Sequence, residues 1–84
     1  MEIKTATDYQ PVHDALIKEI RFVGVNQDLS HFLFNIGTMV TDLSKKEVEC
    51  RRLHNTKTLE EPLKKINAAI KHLEQLLLMA RLMK

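Results

Sequence analysis

Along residues 59–80 the apolar positions fall at Leu59, Leu63, Ile66, Ile70, Leu73, Leu77 and Ala80, separated by 4, 3, 4, 3, 4 and 3 residues. That spacing predicts one long helix with an unbroken heptad seam. A neighbouring line, Ala69, Leu76 and Met83, widens the stripe. By its end, Leu76 to Met79 and Leu82-Met83 place apolar groups almost all round the helix. A helix of that kind needs covering on more than one side.

The rest of the chain reads as two further helices. Met1 to Gln10 has no sustained period, which predicts a loose arm with an extended stretch at Glu2 to Thr5. Pro11 suits the first helical turn, where a missing N–H costs nothing. Val12, Leu16, Ile20 and Val23 follow on one face, with Ala15 and Ile17 at its margin. Gly24 is the natural stop, with Val25 folding back, and Asn26 or Asp28 can cap a restart. A competing line, Phe22, Val25, Leu29, Phe32, Ile36, Met39 and Leu43, runs through that stop and allows one continuous helix from Pro11 to Leu53. The glycine followed by Asn26-Gln27-Asp28 favours the break. Leu33 then widens the seam of the second helix, while Phe34 points away from Phe32. Gly37, inside this helix, predicts the close approach of a neighbour. Past Leu43 the seam turns polar at Lys46 and resumes at Cys50 and Leu53. His54 to Lys57 are expected to form the second turn. Thr58 with Glu61 matches a capping box, and Pro62 fits the first turn of the last helix.

The expected fold is therefore a single all-α domain with helices over 11–23, 28–53 and 59–83. It is either a small three-helix bundle or a helical hairpin with an extra short N-terminal helix, packed like a coiled coil. Helix one is about half the length of its neighbours and would leave one end of the long pair uncovered. Antiparallel pairing brings Leu29 to Met39 beside Leu73 to Met83, so the apolar excess of both long helices gathers at one end. An uncovered patch of that kind marks a partner site. Its expected members are Leu29, Phe32, Leu33, Ile36, Met39, Leu73, Leu76, Leu77, Met79, Ala80 and Met83, with the methionines supplying adaptable contacts.

Composition narrows the class without changing this picture. The 84 residues are 44% hydrophobic and 29% charged, values of a folding chain rather than a disordered one. One cysteine excludes an internal disulfide framework. The first ten residues lack an apolar core for a signal peptide, and Glu74 and Arg81 interrupt the best apolar run, so no membrane partner is expected and a cytoplasmic location is. The net charge of +2 hides an asymmetry. Residues 1–44 carry three Lys or Arg and six Asp or Glu, against ten and five in residues 45–84. Halves of opposite sign suit packing on each other; a basic face for an acidic partner is the alternative.

Candidate chemistry is sparse. His13, His31, His54 and His72 never pair at helical spacing, and only Glu47, Cys50 and His54 share a face that a metal could use. No second pair completes a tetrahedral set, so neither a metal nor any other cofactor is expected. Ser30-His31 and Ser44 lack a glycine-rich elbow, and His13-Asp14 are adjacent and diverge on a helix. Two glycines supply no phosphate-cradling loop. An enzyme is not expected. The segment 45–57 is the strongest candidate for nucleic acid, through Lys45, Lys46, Arg51, Arg52 and Lys57, yet it lacks aromatics for stacking. The expected function is a small helical interaction module that self-associates or masks a partner helix. The alternative is a nucleic-acid-associated regulator.

Overall fold

The computed structural model describes residues 1–24, 26–54 and 59–83; the fold-back at Val25, the turn over Asn55 to Lys57 and the Thr58 capping box lie outside the described residues. Among these residues there are three α-helices and no strand: α1 (Tyr9–Val23), α2 (Gln27–Leu53) and α3 (Glu60–Leu82), preceded by a 3₁₀ turn at Ala6–Asp8. The all-α bundle expected from the periodicity is what forms. Helices one and two are separate. Gly24 ends α1 at φ +105° and ψ 124°, an extended positive-φ conformation that suits a residue without a Cβ. Asn26 caps α2, its side-chain oxygen accepting the Leu29 N–H at 2.8 Å. At the other end His54 takes the left-handed conformation and donates its N–H to the Cys50 carbonyl.

The short link through Gly24 forces α1 back along the first half of α2. Ile17, Ile20 and Arg21 there line a groove with Ser30, Leu33 and Phe34. On its other side α1 runs in the same direction as α3, so that Ala15 and Leu16 face the level of Glu74 and Leu77 and Glu19 meets Arg81 at 3.7 Å. This ion pair joins the acidic half of the chain to the basic half. α2 and α3 form the most extensive pairing, with the Phe32 and His72 rings 5.5 Å apart. The molecule is an elongated rod of 49 × 18 × 15 Å.

The core follows two heptad seams. α3 contributes Ile66, Ile70, Leu73 and Leu77, as its spacing predicts, with Leu59 and Leu63 half-buried. In α2 Leu29, Leu33, Ile36, Val40 and Leu43 are buried, again at intervals of 4, 3, 4 and 3, and the seam resumes at buried Cys50 but not at Leu53, which is exposed. Phe32 and Met39 are only half-buried, because packing of α1 turns Leu33 and Val40 inward instead. Tyr9, Val12, Leu16 and Ile20 supply the third face.

Two expectations about the arm and the helix interior change. The first is the arm, which is docked and not loose. Ile3 is 2% exposed, and its backbone is held by the Asn67 side chain in both directions, N–H to Oδ1 at 2.8 Å and Nδ2 to the carbonyl at 3.0 Å. The Ala6 N–H reaches the Glu47 carboxylate at 3.0 Å. The Asp8 carboxylate accepts the backbone N–H groups of Lys4 and Thr5, which holds its pKa below the ordinary value. Periodicity cannot register an isolated apolar anchor, which is why Ile3 escaped it. The second change is Gly37. A Cβ built there would meet nothing within 4 Å, so no neighbouring helix approaches it.

Candidate functional site

The turn at Gly24 also decides which end of the bundle is covered. α1 lies over the start of α2, the same apolar end that was expected to stay bare. Five of the expected partner-facing residues, Leu29, Leu33, Ile36, Leu73 and Leu77, are consequently buried within this chain's own core. Phe32, Met39, Leu76 and Ala80 are half-buried at its edge. Of that set, Met79 and Met83 remain exposed.

They are not alone. Leu78, Met79, Leu82 and Met83 are 58, 61, 78 and 86% exposed. At about 100° per residue these four side chains span an arc of about 140° on the side of α3 away from the core. Beside them, at the end of α1, Phe22 is also exposed, and the Arg81 guanidinium carbon lies 4.6 Å from the centre of its ring. Arg81 is thus drawn toward α1, between Phe22 and Glu19, and leaves the outer face of the helix end apolar. Leu78 and Leu82 were visible in the sequence as part of the all-round apolar run. Subtracting the seam from that run isolates them.

The opposite end of the rod carries the basic segment. Lys45, Lys46, Arg51 and Arg52 are all exposed, and no ion pair among the described residues engages them. Lys45, Glu49 and Arg52 share one face, while Lys46 and Arg51 diverge from it by about 100° and 120° to either side. The positive charge is therefore dispersed around the helix and interrupted by a carboxylate. Val48 and Leu53 are exposed among these charges.

The Glu47, Cys50 and His54 face is divided between other uses. Glu47 holds the arm, Cys50 is buried, and His54 is exposed at the end of α2. Among the described residues no three His, Cys, Asp or Glu side chains are gathered to hold a metal ion. Tyr9 and His13 form a tilted ring pair with a 3.5 Å contact between the hydroxyl and Nδ1, and burial raises the Tyr9 pKa. No helix among the described residues is long and apolar enough to cross a membrane.

Fold and surface together define an antiparallel three-helix bundle with one bare apolar helix end. Compared with known proteins, the chain matches no family model, no curated protein and no solved structure.

Proposed function

We propose that this chain is a small cytoplasmic protein–protein interaction module, which works by binding and not by catalysis. It associates with a second copy or masks a partner helix through the last two turns of α3, in coiled-coil fashion. The observation that carries this reading is the exposure of Leu78, Met79, Leu82 and Met83 together on one helix end. Scattered apolar side chains are ordinary on a surface, whereas a contiguous group of this kind is a docking patch. Unbranched methionines on two of the four positions let the patch adapt to the shape it meets.

The test is binding of an apolar fluorescent dye to the folded chain. The wild type should bind the dye, and Leu82→Glu should lose that binding with its helical circular dichroism unchanged. A wild type that leaves the dye dark would count against the patch.

The dispersed basic segment acts as solvating charge that also favours the negative end of the α2 dipole. Replacing Lys45, Lys46, Arg51 and Arg52 by alanine should then cost only tenths of a kcal/mol per charge. A salt-sensitive affinity of the wild type for DNA or RNA, lost in that variant, would replace the module with the nucleic-acid reading.

A further inference from the structure

The charge pattern around the bare α3 end narrows the choice of partner. A two-fold interface sets each residue near its own counterpart, so a patch that binds itself must carry little charge at its centre. Within residues 75–83 the one Lys, Arg, Asp or Glu is Arg81, and it is occupied by Glu19 and the Phe22 ring on the α1 side. Within residues 75–83 the outer face holds no charge to repel a copy, and the nearest charges, the Met1 ammonium and Glu74 beside Leu78, neutralise each other at 3.0 Å. The other end of the rod, with Lys45, Lys46, Arg51 and Arg52 exposed, carries a net positive charge that disfavours contact with its own copy.

Spacing fits the same occupant. Leu78 and Leu82 are one helical turn apart on the exposed side of α3. Two α3 ends crossing antiparallel midway between Leu78 and Leu82 set Leu78 of each copy opposite Leu82 of the other, with Met79 and Met83 along one side. We propose that the α3 end docks on the α3 end of a second copy in this two-fold antiparallel register. The proposal rests on the interaction-module reading and names its partner.

Area sets the strength. The four exposed side chains offer a few hundred Å² per chain, so two copies would bury at most about 1,000 Å², the lower limit of a specific interface. The dimer is accordingly weak and exchanges with the monomer, with a Kd on the order of micromolar to hundreds of micromolar.

Sedimentation equilibrium of the full chain across that concentration range tests this. Its average mass should climb from monomer toward dimer. Leu78→Lys and Leu82→Glu should each weaken association at least about tenfold, with helix content unchanged, and Phe34→Glu, at an exposed position on α2, should not. Mixing the Leu78→Lys chain with the Leu82→Glu chain should restore dimers, because the register sets one lysine against one glutamate. A wild type that stays monomeric throughout overturns the proposal. So does a dimer indifferent to Leu82→Glu, or single variants that remain monomeric when mixed. Dye binding separates the two levels. A monomer that binds dye at the α3 end keeps the module and loses the self-partner, whereas a monomer that binds none loses both.

Discussion

Asn67 reads the backbone of Ile3 as a neighbouring strand would, accepting its N–H and donating to its carbonyl through one side-chain amide. The Ile3 side chain is meanwhile buried. A single residue of the arm thus combines an apolar anchor with a two-bond clip across 64 positions of sequence. Ile3→Ala and Asn67→Ala should each destabilise the chain, the former by up to about 2–5 kcal/mol and the latter by about 1–3 kcal/mol. Detachment of the arm caps both losses. The double variant should therefore cost clearly less than the sum, a coupling that a double-mutant cycle in urea measures directly. Additive costs would mean that the two residues act independently.

The α3 seam should be the most sensitive part of the core. Ile70→Ala and Leu73→Ala, both at fully buried positions, should each cost about 2–5 kcal/mol, a large share of a small domain's stability. Leu63→Ala, at a half-buried position, should cost less. Lys71→Ala should stay within about 0.5 kcal/mol. Denaturant midpoints of the four variants check the order. Leu77 belongs with the core, so Leu77→Glu should unfold the chain rather than merely keep copies apart.

Gly37→Ala should stabilise. The space beyond the Gly37 Cα is open and its φ is not positive, so the methyl group meets no clash while the unfolded chain loses freedom. The expected gain is up to about 1 kcal/mol, read as a raised thermal midpoint. A loss would reveal a neighbour close to this turn of α2.

Asp8 should make the docking of the arm depend on pH. The backbone N–H groups of Lys4 and then Thr5 lower its pKa from the ordinary 3.8. A carboxylate depressed on folding contributes stability above its unfolded pKa, and that contribution fades as pH falls through the folded value. The stability difference between wild type and Asp8→Ala should hold near neutral pH and shrink toward zero below 3.8. Urea titrations at several pH values would show it, and a difference that grew in acid would reverse the sign.

Much of this fold is legible in the spacing of apolar residues, and the exceptions have physical causes. Ile66, Ile70, Leu73 and Leu77 read correctly because a seam facing two partner helices leaves no choice of phase. In α2, Leu29, Ile36 and Leu43 are compatible with either Phe32 and Met39 or Leu33 and Val40 as the alternate positions. The side on which α1 packs decides between them, and no local pattern encodes that. The Gly24 stop is visible in the sequence, and it sets more than a helix boundary. A link this short must lay α1 along the start of α2, which closes the very end expected to stay open. The surviving patch, Leu78 and Leu82 with the two methionines, is what remains of the apolar run once the core has taken its share. Ile3 was illegible because its partner lies in another helix near the other end of the chain.

That separation has a kinetic consequence. The clip cannot close until Asn67 is in place on a formed α3, so the arm is expected to settle late in folding and to leave early in unfolding. Substitutions at Ile3 or Asn67 would then be felt in how fast the native state opens and hardly at all in how fast the three helices assemble. The chain carries, in effect, a latch that is indifferent to the making of the bundle and governs how long it stays made.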